Sequence, residues 1–288
     1  MINAPPRTYF YPRISPDGTK VAIDIRDQEL DIWVWEFARE TLTRLTFDPA
    51  NDRFSSWSPD GQRIAFSTTR DSGVNNVLSL YWKAANGTGS AERLAESSGQ
   101  MFPVSFAPDG SAIIVSGALT GGTQDDDIAM LSLGGQDPLT VLLNTSFSEA
   151  NPEVSPDGRW ITYSSNESGQ NEIYVRPFPN VDAGRWQVSV GGGVQPLWAH
   201  SGEELFYRID EAMMSVHVQA DENFVAGSPQ QLFEIDNTLG QFGGRSYDVS
   251  QDGQFLMVKE IQSASQISRI IVVKNWFEEL ERLAPPAQ

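Results

Sequence analysis

The chain has no cysteine and only two histidines among its 288 residues. The first absence excludes disulfides, thiolate metal sites and a cysteine nucleophile, and leaves the compartment open. The second restricts zinc chemistry, because His200 and His217 lie on different elements and show no H-E-x-x-H or comparable spacing. Basic residues are scarce as well: 20 against 38 acidic ones give a formal charge of −18, which repels phosphate backbones and anionic membranes. Nucleic acid and membrane are therefore not expected partners. Long apolar runs are missing; "RIIVVKNWF", the longest, is broken by Lys274 and falls far short of the ~20 residues of a membrane helix. There is no G-x-S-x-G elbow, no phosphate-binding glycine loop and no EF-hand loop.

What the chain has in quantity is turns, with 24 glycines and 17 prolines. They fall in a repeated phrase: "RISPDG" ending at Gly18, "SWSPDG" at Gly61, "SFAPDG" at Gly110 and "EVSPDG" at Gly158, then the worn copies "LWAHSG" at Gly202 and "DVSQDG" at Gly253. Successive glycines are 43, 49, 48, 44 and 51 residues apart, the length of one propeller blade. Each period reads as an apolar strand, the turn, a β-rich run such as "RIAFS" or "WITYS", a polar loop, a third run such as "DIWVW" or "EIYV", and a short fourth such as "LTRLTF". Four short antiparallel strands cannot cover both of their faces alone, so radial packing is the natural solution. The expectation is an all-β, six-bladed β-propeller of four-stranded antiparallel blades over residues 1–288, with turn motifs near 16–18, 59–61, 108–110, 156–158, 200–202 and 251–253. Helical periodicity emerges only in "NWFEELERL", which predicts a C-terminal helix at about 275–283. The last repeat lacks a fourth strand, so ring closure would require residues before Tyr11 to pair beside its third strand, where Pro5 and Pro6 leave little usable chain. The seam between first and last blades is the expected weak edge, covered by the terminal helix or used for association.

The S-P-D-G phrase in about six copies resembles the TolB-like propeller repeat, a relative of the WD repeat. More narrowly, "PPRTYFYPRISPDGTKVAIDIRDQELDIWVWE", "LTRLTFDP", "EVSPDGRWITYSSNESGQNEIYVRPFP" and "VVKNWFEEL" look like the propeller C-terminal to bacterial serine/threonine protein kinases. That resemblance spans almost the whole chain and implies a sensor or protein-interaction module. It does not bring kinase activity: "VAID" places Asp24 where a kinase strand has lysine, and "IRDQ" lacks the catalytic-loop histidine and asparagine. The opening "MINAPPRTYFYPR" carries no export signal as written, so a cytoplasmic location is the default expectation, and an extracytoplasmic one if the chain is a fragment of a membrane-spanning kinase.

The turn aspartates Asp17, Asp60, Asp109 and Asp157 suit backbone capping rather than catalysis, since the glycine persists in copies that lose the aspartate or proline. Asp125, Asp126 and Asp127 offer oxygens that suit Ca2+, but consecutive carboxylates point apart, so a solvated acidic loop is the preferred reading and no cofactor is expected. Aligning the first strands gives an apolar column, Ile14, Trp57, Phe106, Val154, Trp198 and Val249, that should pack between blades. One residue earlier stand Arg13, Ser56, Ser105, Glu153, Leu197 and Asp248, which should face the central channel. Arg13 and Asp248 would meet across the seam as an ion pair. At the strand starts, Tyr11, Arg53, Phe102, Glu149, Asn151, Gln195 and Arg245 should ring one mouth and, with Arg13, bind a protein segment or small ligand. The competing reading is a hydrolase or lyase, such as a glycosidase, with Glu153 and Asp248 as paired carboxylates and Glu149 in reserve.

Overall fold

The computed structural model describes residues 4–27, 29–71, 77–96, 99–119, 125–134, 139–220, 223–235, 244–261 and 267–273. The β-branched and aromatic runs of each repeat form antiparallel strands, and each S-P-D-G phrase makes the tight connection between first and second strands. Its glycine sits at φ between 67° and 76° in all six copies, a region costly to any residue with a Cβ. The aspartate before it accepts hydrogen bonds from its surroundings: Asp157 Oδ1 takes the Ser155 hydroxyl at 2.5 Å and the Arg159 N–H at 3.1 Å. Asp17 Oδ1 does the same with Ser15 and Thr19, and these bonds lower its carboxyl below the usual range, the Ser15 hydroxyl contributing most. These aspartates are turn fixtures.

The expectation of a six-bladed propeller of four-stranded blades is corrected to five blades. Sheets over residues 9–44, 52–95, 102–143 and 149–187 have four strands each, the one over 194–234 has five, and the last, over 247–273, has three. Among the described residues the ring is thus five full blades plus a three-stranded closing sheet. Two local causes are visible. In blade 5 the third strand, Ala212–Ala220, outgrows its neighbours and pairs with both Phe224–Ala226 and Gln230–Glu234. In the closing sheet the inner strand shrinks to Tyr247–Val249, because Arg245 and Ser246 turn aside to bond other partners. The predicted helix at 275–283 lies outside the described residues, among which the only helical element is the 3-10 turn Val181–Ala183. Among the described residues no helix is long and apolar enough to cross a membrane.

The inner strands, Tyr9–Ile14, Asp52–Trp57, Phe102–Phe106, Glu149–Val154, Val194–Trp198 and Tyr247–Val249, surround the axis. Six apolar clusters fill the six junctions between neighbouring sheets, and the column Ile14, Trp57, Phe106, Val154, Trp198 and Val249 contributes one residue to each. The seam is closed face to face: Leu256 and Val258 of the closing sheet pack on Tyr9, Val21, Ile23, Ile25 and Trp35 of blade 1. Just before Tyr9, Arg7 is anchored to blade 1, paired to Asp27 at 3.1 Å and stacked on Trp33.

Candidate functional site

The polar column does face the axis. Arg13, Ser56, Ser105, Glu153, Leu197 and Asp248 all line one cavity of about 320 Å³, joined by Arg245 and walled by Trp57, Phe106, Val154 and Trp198. Its mouth is framed by the six residues at the proline position of the turns: Pro16, Pro59, Pro108, Pro156, His200 and Gln251. The opening that the cavity reaches is therefore at the turn end of the channel. The sequence signal for it was the turn column itself, four prolines and two worn positions.

Arg245 organises the centre. Its Nη1 donates to Glu153 Oε2 at 2.7 Å and its Nη2 to Asp248 Oδ1 at 3.1 Å, while Nε donates to the Tyr247 carbonyl at 3.1 Å. The other Asp248 oxygen accepts the Ile14 N–H at 2.7 Å, which ties the closing sheet to blade 1. The expected Arg13–Asp248 pair does not form. Arg13 donates from Nη1 to the carbonyls of Pro12 (2.8 Å) and Arg245 (2.9 Å) instead. Burial pushes the Glu153 carboxyl up from its ordinary value even against the pull of Arg245. Burial also lowers Arg13 to about 10, with Arg245 beside it adding to the effect, so Arg13 keeps its charge at neutral pH. Two tryptophans brace the ring: Trp57 Nε1 donates to the Arg13 carbonyl at 2.9 Å and Trp198 Nε1 to that of Glu153 at 3.2 Å.

The other mouth residues follow from a kink shared by four inner strands. Tyr11, Phe54, Asn151 and Gln195 have φ of 50°, 58°, 53° and 57°, each beside a break in the pairing register with the second strand. The kink turns Tyr11 and Phe54 into a packed cluster, with ring centroids 4.8 Å apart, and Phe54 meets Phe102 at 4.6 Å. Arg26 lies over Phe10 at 4.0 Å and Arg53 over Phe54 at 5.4 Å. Tyr11, Arg53 and Phe102 are thus brought together, but in a knot of rings and guanidinium groups. Gln195 is buried; its Nε2 donates to the Gly244 carbonyl at 2.9 Å and its Oε1 accepts the Ser246 N–H at 3.1 Å. Asn151 is half-buried on its kink.

Sequence reasoning missed Asp24 beneath this knot, seen only as a non-kinase residue. It is 1% exposed and accepts the Phe54 N–H at 2.9 Å through Oδ2. Burial raises its carboxyl to about 7, well above the ordinary 3.8, against the pull of that bond and of Arg26. Between those values the folded chain holds a proton that the unfolded chain releases, so Asp24 takes away stability as pH rises from about 4 to about 7. An Asp24→Asn variant lacks that titration and retains an acceptor for Phe54. Its stability relative to wild type should therefore climb by a few kcal/mol across that window and then level off. Urea denaturation of both proteins at about pH 4.5, 6 and 8 reads this directly; a flat or falling difference contradicts it.

Glu149 stands apart from the axial centre. It is 2% exposed at the junction of blades 3 and 4, accepts the Thr145 hydroxyl at 2.5 Å, and is raised first by burial. The three consecutive aspartates diverge as their alternation requires: Asp125 is exposed, Asp126 half-buried, and Asp127 buried and bonded by Asn144 at 3.4 Å. Among the described residues no group of three or more acidic or histidine side chains is arranged to hold a metal ion. His217 is exposed on blade 5, and His200 meets the Val249 carbonyl at 3.1 Å.

Comparison with known proteins places the fold. The chain superposes on a putative TolB from Agrobacterium tumefaciens with a TM-score of 0.68 at 18% identity, over 93% of this chain and 91% of that one. It matches a puromycin-hydrolyzing peptidase of Mycobacterium tuberculosis (TM-score 0.64, 18% identity) over 93% of this chain but 45% of the peptidase. It also matches an oligogalacturonate lyase of Vibrio parahaemolyticus (TM-score 0.56, 12% identity) over 94% and 91% of the two chains. In sequence it is 24% identical to an uncharacterized peptidase, YuxL, of Bacillus subtilis in a 209-residue alignment, with 57% of this chain and 31% of that protein covered. No protein-family profile matches the chain. The fold is a TolB-like β-propeller.

Proposed function

We propose that this propeller is a non-catalytic binding module that receives a protein segment or small ligand in its axial channel. One observation carries the reading: the two carboxylates best placed for acid–base or nucleophilic work, Glu153 and Asp248, are both spent on Arg245. A retaining glycosidase needs one free carboxylate as nucleophile and a second as acid about 5 Å away. Here each acid already faces a guanidinium, and the remaining Asp248 oxygen is held by Ile14. What the channel does offer is concavity, apolar walls and a few fixed polar groups, which is the make-up of a binding site.

The similar proteins bring no activity of their own to this chain. The two peptidases are matched over less than half of their length, so the likeness is to one part of each. The likeness to the lyase is one of fold, and fold alone does not bring chemistry. A sensor appended to a kinase, as the repeat phrases suggest, would need a receptor site and no catalysis of its own. Screening the purified chain against a peptide array, a metabolite library and a panel of chromogenic glycosides and uronides tests the reading. Ligands that shift the indole signals of Trp57 and Trp198 without turnover are expected. Turnover of any of these substrates that is abolished by Glu153→Gln would overturn it.

A further inference from the structure

We propose that the axial cavity recognises a single carboxylate group on an apolar body, with Arg13 as its receptor residue; this rests on the binding-module reading. Arg13 is 8% exposed, yet among the described residues no carboxylate pairs with it. It donates from Nη1 alone, to two main-chain carbonyls, and its buried Nε has no acceptor. A guanidinium carries five N–H donors in a fork that fits a carboxylate, so this residue is left far from satisfied. Burying a cation without a paired anion is strongly unfavourable. The neighbouring acids Glu153 and Asp248 favour its charge from a distance, but their hydrogen bonds go to Arg245 and Ile14 and leave its donors unmet.

The surroundings complete a carboxylate site. Ser56 and Ser105 line the same cavity, and their hydroxyls make only long bonds, 3.4 Å to the Val104 carbonyl and 3.3 Å to that of Pro152. Either can rotate to donate to a second ligand oxygen. Beyond them the wall is apolar, from Trp57, Phe106, Val154 and Trp198, and a volume of about 320 Å³ suits one residue-sized molecule. Charge selects a monoanion. Two acids, Glu153 and Asp248, already stand beside Arg13 and Arg245, so the second negative charge of a dianion such as a phosphate ester meets more repulsion than a single carboxylate does. The carboxylate can come from a free small acid or from the C-terminus of a chain.

Calorimetric titration with phenylacetate, 4-methylvalerate, octanoate and acetyl-Gly-Gly-Phe, each beside its amide and beside phenyl phosphate, separates the outcomes. At least one acid is expected to bind ten-fold or more tighter than its amide and than phenyl phosphate. Tighter binding of the tripeptide than of the small acids assigns a chain end, and the reverse assigns a free acid. Arg13→Gln should weaken that binding at least ten-fold and Arg13→Lys should restore part of it. A thermal melt of each variant shows whether it is folded, and Ser56→Val gives a second, milder loss. Failure of every acid at millimolar concentration, or equal binding of acid and amide, overturns the proposal. If acid and amide bind alike and still shift the Trp57 and Trp198 indoles, the receptor reading stands and the carboxylate inference alone falls. If nothing in the wider screen shifts them, the receptor reading falls as well.

Discussion

Replacing Arg245 by methionine is expected to destabilise the protein by about 3–5 kcal/mol, the usual result of removing one partner from a buried ion network. Methionine keeps much of the side-chain length and apolar stem, so the loss isolates the guanidinium. Two carboxylates from different sheets, Glu153 of blade 4 and Asp248 of the closing sheet, would then face each other without a cation bonded to either. The Tyr247 carbonyl would also lose its donor. Glu153, already raised by burial, would be pushed further up once the pull of Arg245 is gone. Chemical denaturation of the variant against wild type gives the value. A cost below about 1 kcal/mol would mean that the centre is solvated and its ion pairs worth no more than surface ones.

The second large effect belongs to the seam. Leu256→Ala removes a side chain that is 1% exposed and packs with Tyr9, Val21, Ile23, Ile25, Trp35 and Val258 across the junction of the closing sheet and blade 1. A large-to-small change in such a core costs about 2–5 kcal/mol, and in a chain of this size lowers the melting temperature by roughly 5–15 °C. The location makes the prediction more specific than its size. Since the closing sheet has three strands and an inner strand of three residues, opening should begin there. Hydrogen exchange should quicken in the closing sheet and in Tyr9–Ile14 while Trp160–Ser165 in blade 4 stays protected. Uniform acceleration around the ring would show that the seam is no weaker than any other junction.

Much of this architecture was legible because its signals are local and repeated. The glycine of each turn must adopt positive φ, the strands alternate at period two, and so the turn positions, the inner strands and both columns around the axis could be read by alignment alone. Equal blades could not be inferred in the same way. The length of Ala212–Ala220 and the early departure of Arg245 and Ser246 from the ladder depend on tertiary partners that periodicity does not encode. The site shows the same division. Alternation correctly aimed Arg13, Glu153 and Asp248 at the channel, but their pairing was decided by Arg245, which reaches in from the connecting segment. Of the residues expected around one mouth, Tyr11, Arg53 and Phe102 lie together, packed about Phe54. The kinks at Tyr11 and Phe54, which have no glycine to announce them, turn the rings inward over Asp24.

A double-mutant cycle between Arg245→Met and Glu153→Gln bears most directly on the reading of the centre as a lock around a receptor channel rather than a reaction site. Both single variants, the double variant and wild type would be compared by denaturant unfolding. If Glu153 is held by Arg245, the two losses overlap and the double variant is more stable than their sum by roughly 2 kcal/mol or more. Losses that add to within about 0.5 kcal/mol would show that Glu153 acts independently of Arg245, freeing it for chemistry and contradicting the lock.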